Sequence, residues 1–230
     1  MKAKSILLCL TLAICLSSCT FNPPDGWTKR HHSYKEVLAY AKSIDSNATV
    51  AKEYTDTLDE YDWEYREWDA VLNGVDCHVA SVSDWVWNDG ILAGEFVKRH
   101  YRLDTDYDYL VMQSILSEKY PDWKMTEGLS SRYHHNMLFV KLHMPECRML
   151  NNEELELVWK TASAINAEYE PLAIGREAGF CIPAPAKYTD HDDKQASHVK
   201  TDSYAYITSF TEDGKNQFLQ EYREDWALLN

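Results

Sequence analysis

The chain has 230 residues, with 37 Asp and Glu against 23 Lys and Arg, and a net charge of −14 with histidines neutral. This acid excess opposes contact with phosphate backbones and anionic headgroups, so nucleic acid is excluded as a partner and cationic peptides, metal ions or neutral saccharides fit better. A hydrophobic content of 45% with eight Trp and fifteen Tyr excludes a disordered chain, and the length allows one substantial core or two small ones.

At the start, Lys2 and Lys4 precede an apolar run from Ile6 to Leu16, which passes without a gap into Leu16-Ser17-Ser18-Cys19. Eleven mostly apolar residues are too few for a stable transmembrane helix, whereas the basic start and small-residue end suit a secretory signal. The series resembles the signal peptide and lipobox of bacterial lipoproteins, in which a leucine, two small residues and a cysteine mark where the cysteine is acylated and the preceding peptide removed. That resemblance covers the leader alone. It implies a mature chain beginning at a lipidated Cys19, held at the cell membrane and facing outside the cytoplasm. Acyl chains contribute about 0.8 kcal/mol per buried methylene, so a diacyl or triacyl cysteine holds a protein at lipid almost permanently. The expected organisation is a signal peptide over 1–18, the lipidated cysteine and a flexible tether over 19–32, and a single globular domain over 33–230. Without Lys2 and Lys4 the mature chain carries 21 basic and 37 acidic residues, a net charge near −16. Beyond Cys19 only Cys77, Cys147 and Cys181 remain, so at most one internal disulfide forms and stability must come from the apolar core.

Ser33-Tyr34-Lys35-Glu36 has capping-box spacing, and Tyr34, Val37, Leu38, Ala41 and Ile44 recur at helical period, which predicts a helix over Tyr34 to Ile44. Asn47 to Thr57 is a weaker strand candidate. Asn73-Gly74 is the dipeptide of a type I′ hairpin turn, with arms from Tyr61 to Leu72 and from Val75 to Trp87. The apolar positions change face along this ladder, which requires either a β-bulge or a sheet covered on both sides. Glu95 to Leu103 alternates as a partly exposed strand does. A helix follows over about Asp106 to Tyr120, with Asp104, Asp106 and Asp108 at its positive end and Pro121 after it. His135 to His143 reads as a strand. Asn151 then caps a helix whose face holds Leu155, Val158, Trp159, Ala162, Ile165 and Tyr169, stopped by Pro171. Pro183 to Thr201 reads as a polar loop, Tyr204 to Phe210 as a strand, and Phe218, Leu219, Tyr222, Trp226 and Leu229 mark a closing helix. The order predicts an α+β fold, a mostly antiparallel sheet with amphipathic helices packed on one side.

No nucleophile elbow, zinc-protease motif or phosphate loop is present, so no catalytic residue and no cofactor is assigned. Asp104-Thr105-Asp106-Tyr107-Asp108 opens like a calcium loop but has Tyr109 where Gly is needed and Ile115 where a bidentate Glu is needed. Asp190-His191-Asp192-Asp193 with His198, His143-Met144-Pro145-Glu146-Cys147, and Cys77-His78 hold ligand types without ligand spacing, so no metal site is assigned. The most unusual stretch runs from Glu53 to Asp69, where eight acids alternate with aromatic rings. Rings that stack beside carboxylates that accept hydrogen bonds make a face for sugars or cationic peptides. The ligand-binding candidates are therefore Tyr61, Trp63, Tyr65, Trp68, Trp85 and Trp87. The leader, the acidic body and the missing catalytic motifs together point to a non-enzymatic envelope lipoprotein that binds an unidentified envelope protein, peptide or glycan. The rival reading is an envelope hydrolase that uses paired carboxylates of the hairpin or a Cys-His pair.

Overall fold

The computed structural model describes residues 27–86, 98–133, 136–145, 148–189, 197–207 and 209–227. They form an α+β fold divided into two compact units, one built on the chain up to Gly74 with His78–Asp104, the other on Val75–Cys77 with the chain from Thr105 onward.

In the first unit, helix α1 (Tyr34–Ile44) starts at the capping box, where Ser33 and Glu36 serve one another's backbone groups, and it buries Val37 and Ala41. Its C-terminal Asp45 accepts a hydrogen bond from the Asn73 N–H at 2.8 Å, which ties the helix end to the hairpin turn. The strand candidate after α1 resolves into two short strands, β1 (Thr49–Val50) and β2 (Thr55–Leu58), both antiparallel to β3 (Glu64–Leu72). Asn73 and Gly74 have φ of 48° and 80°, the positive pair that a type I′ turn requires. The chain then returns as β4 (Val75–Val86), bordered by β5 (Lys98–Thr105), in the order β1-β3-β4-β5. The first arm begins three residues later than expected, because the Asp59 carboxylate accepts from the Tyr61 and Trp63 N–H groups at 2.9 and 3.0 Å and folds that stretch into a turn. Val79, Ala80, Ser81, Val82 and Ser83 are all buried, so this part of the sheet is covered on both sides. Its two hydroxyls are satisfied: Ser81 Oγ accepts from the His32 N–H at 3.0 Å and Ser83 Oγ from the Glu64 N–H at 2.6 Å.

The second unit runs α2 (Tyr107–Lys119), β6 (Trp123–Met125), α3 (Leu129–Tyr133), β7 (Met137–Leu142), α4 (Asn152–Tyr169), β8 (Glu177–Thr189), β9 (Ser197–Ile207) and α5 (Glu212–Ala227). The sheet order is β6-β7-β8-β9. Only the β7–β8 pair is parallel among these, since α4 carries the chain back across the sheet between them. The core joins Met112 and Leu116 of α2, Leu138 and Val140 of β7, Leu155 and Ile165 of α4, and Phe218 and Tyr222 of α5.

Two expectations change here. The polar loop predicted from Pro183 to Thr201 is instead the end of β8 and the start of β9, with residues 190–196 outside the described ones. Past Cys181 the described partner of β8 is β9 alone, so Pro183 sits on an edge, and Pro185 falls at the register shift between Ala184 and Ala186. Asp108 is also more than an acidic residue in a first helical turn. It is buried, and its two oxygens accept from the Ile174 and Arg176 N–H groups at 2.8 and 2.9 Å. Burial raises its pKa, while those two bonds and the Arg176 charge pull the other way.

Candidate functional site

The aromatic face expected on the hairpin is split by the fold. Tyr65 and Trp68 are 1% and 2% exposed and belong to the core. Tyr61 is 61% exposed and stands 6.2 Å from the half-buried Trp63 ring, so this pair lies at the surface on the Asp59 turn. Tyr54 is exposed but covered on one face by the Arg66 guanidinium, 4.1 Å from its centroid. The Trp85 side chain and Trp87 lie outside the described residues, as does Cys19.

Of the hairpin acids, Asp56, Asp59 and Glu64 are engaged by neighbours. Asp56 makes a two-pronged pair with Arg66 at 2.7 and 2.9 Å, and that hydrogen bonding holds its carboxyl below the usual range. Glu64 pairs with Arg99, accepts from the Tyr101 hydroxyl at 2.7 Å and lies 3.5 Å from His31 Nε2. Asp59 accepts from the Tyr65 hydroxyl at 2.8 Å, and burial followed by that bond raises the phenol's pKa. Asp104 pairs with Arg102.

Cys77 and Cys181 are both buried, and burial pushes the Cys181 thiol up to about 11, so it stays protonated at neutral pH. Cys147 and the Asp190 to Asp193 group lie outside the described residues. Next to Cys77 in sequence, His78 reaches outward to Asp69 at 3.5 Å. Among the described residues no three His, Cys, Asp or Glu side chains gather to hold a metal ion, and no helix is long and apolar enough to cross a membrane.

A site that the sequence did not suggest lies in the second unit. A groove of about 500 Å³ runs between the end of β7, residues 148–150 and the first turns of α4. Its apolar lining is Leu142, Met144, Pro145, Leu150, Leu157 and Val158, and Asp122, His143, Arg148 and Glu154 complete it. The walls are pinned through backbone N–H groups: that of His143 donates to the Asp122 carbonyl at 2.7 Å, and that of Leu150 to the Tyr222 side-chain hydroxyl at 3.0 Å. Asn151 caps α4 by accepting from the Glu153 and Glu154 N–H groups, each at 3.0 Å. Glu154 completes the capping box and takes the Arg148 guanidinium at 2.6 and 3.1 Å. The Arg148 bond first, then the Asn151 N–H, lower its carboxyl to about 2. Leu157 is 65% exposed, an apolar side chain off the buried stripe of its helix. In the sequence, that leucine off the apolar stripe is the signal for the groove, whereas His143 and Met144 read as metal-ligand types.

Comparison with protein-family models, with curated proteins and with solved structures gives no match to this chain.

Proposed function

We propose that the protein is an envelope lipoprotein, anchored through acylated Cys19 and facing outside the cytoplasm, whose body is a non-enzymatic binding module. The leader supports the anchor. The groove beside α4 is the observation that carries the binding function, because a preformed apolar trough of this volume falls within the ordinary range of ligand sites. Hydrolysis is less well supported: Asp56, Asp59 and Glu64 are already tied to Arg66, Tyr65 and Arg99, and the Cys181 thiol is held protonated.

The occupant is a peptide segment of an envelope partner with apolar side chains flanked by basic residues. Apolar side chains match the apolar lining. Basic flanks match Asp122, since Arg148 is already neutralised by Glu154, and they match the net charge near −16 of the mature chain. Burying two leucine-sized side chains contributes about 1.5 to 3 kcal/mol each, enough for a weak specific complex once ordering costs are met.

The test uses two peptides with a Leu-Leu centre, one flanked by lysines and one by glutamates, titrated into the full chain in detergent by fluorescence anisotropy. The lysine-flanked peptide should bind more tightly, and Leu157→Lys should weaken it about tenfold, the equivalent of about 1.4 kcal/mol. Equal binding by the two peptides, or no effect of Leu157→Lys, overturns the assignment. Fatty-acid labelling that is lost in Cys19→Ala tests the anchor separately.

A further inference from the structure

Residues 28–32, the last of the expected tether, are bound along the first unit's sheet and lead into Ser33 at the start of α1. Thr28 and Tyr101 exchange backbone hydrogen bonds at 2.8 and 2.9 Å, which pairs the start of this strap with β5. The His32 N–H bonds Ser81 Oγ at 3.0 Å, and the His32 ring lies 3.0 Å from the same oxygen. Between these two fastenings, the His31 ring lies on Tyr101 with centroids 4.2 Å apart, its side chain only 17% exposed.

The surroundings of His31 suit the neutral ring. Nε2 is 3.5 Å from Glu64, but Glu64 already serves Arg99 and the Tyr101 hydroxyl. Nδ1 is buried, and although the Ser81 backbone is close, no hydrogen bond of normal geometry reaches it. From β3 the Arg66 charge opposes a second cation, while Glu64 and, from β2, Asp56 favour one. A protonated ring would put a buried N–H donor at Nδ1 without a well-placed acceptor, facing the Arg66 charge.

We propose that this strap is a pH-operated latch in which proton uptake by His31 releases residues 28–32 from the sheet. Five freed residues, 28–32, span about 17 Å when extended, so release lengthens the reach of the body from its anchor. That consequence rests on the anchoring proposed above; the latch itself does not. Burial and Arg66 together lower the His31 pKa below the ordinary 6.5 despite the two carboxylates. A lowered value means that the docked strap is fully stabilised above pH 6.5 and loses that stabilisation as pH falls through the value in the folded protein.

Hydrogen exchange at the Thr28 and Tyr101 amides of the full chain in detergent, expressed as protection factors from about pH 7.5 to about pH 5, tests this. Protection should fall about tenfold for each unit by which the His31 pKa is lowered. In His31→Phe, which keeps a ring on Tyr101 but cannot titrate, it should be flat. Unchanged protection in the unmodified chain, or an equal fall in His31→Phe, overturns the latch. If His31→Phe does not fold, an NMR titration of His31 in the unmodified chain decides: a midpoint below 6.5 that rises in Arg66→Gln supports the latch, and a midpoint at or above 6.5 overturns it. Loss of lipid from Cys19 would leave every one of these readouts in place.

Discussion

Tyr61 and Trp68 belong to the same acidic, aromatic stretch, yet one is mostly in solvent and the other is 2% exposed. Composition cannot separate them; the Asp59 turn does, by ending the surface segment before β3 begins. Trp68→Ala should destabilise the chain by about 3 to 5 kcal/mol, whereas Tyr61→Ala should stay within about 0.5 kcal/mol, both read from urea unfolding. Asp108 makes a second residue-scale case. Asp108→Ala strands the Ile174 and Arg176 N–H groups, so a loss of about 3 kcal/mol is expected in the same measurement. Because burial raises the pKa of Asp108, its contribution to stability is greatest when protonated and declines as pH rises through the folded value. The unmodified chain should therefore lose stability relative to Asp108→Asn as pH rises from acid to neutral, a sign that paired pH-dependent unfolding curves would reveal.

At the scale of elements, the parts that were legible in the sequence are those fixed by neighbours a few residues away. The starts of α1 and α4 follow from capping boxes, and the hairpin turn follows from Asn73-Gly74. Gly74 has φ of +80°, and a Cβ added there would meet nothing within 4 Å, so Gly74→Ala adds backbone strain alone. That strain should cost about 1 kcal/mol by urea unfolding. Both capping carboxylates, Glu36 through Ser33 and Glu154 through Arg148, are lowered from 4.5 to about 2. Their support for the helix starts is complete above pH 4.5 and is lost as pH falls toward about 2. Circular dichroism should show helix loss in that window, reduced in a Glu36→Gln, Glu154→Gln double variant whose caps no longer titrate. The ends of β8 and β9 were not legible, because Pro183 and Pro185 argue against a strand unless the edge position and register shift are already known. β6 and α3, at 3 and 5 residues, are too short for any periodicity to show.

For the whole molecule, the proposed leader and the body speak to different questions. The Lys2 to Cys19 pattern needs no fold to be read, and on the proposed anchoring Cys19→Ala should move the chain from the membrane fraction to the soluble fraction after cell disruption. The acidity, capped helices and tight hairpin turn of the chain were determined by the sequence, because charge adds up residue by residue and caps and turns act within about four positions. Which rings are buried, how Asp108 grips residues 174–176, the parallel β7–β8 pairing and the groove beside α4 were decided only by tertiary structure. Each joins groups far apart in the chain, Asp108 to Ile174 or Leu150 to Tyr222, and no local pattern records such a distance being closed.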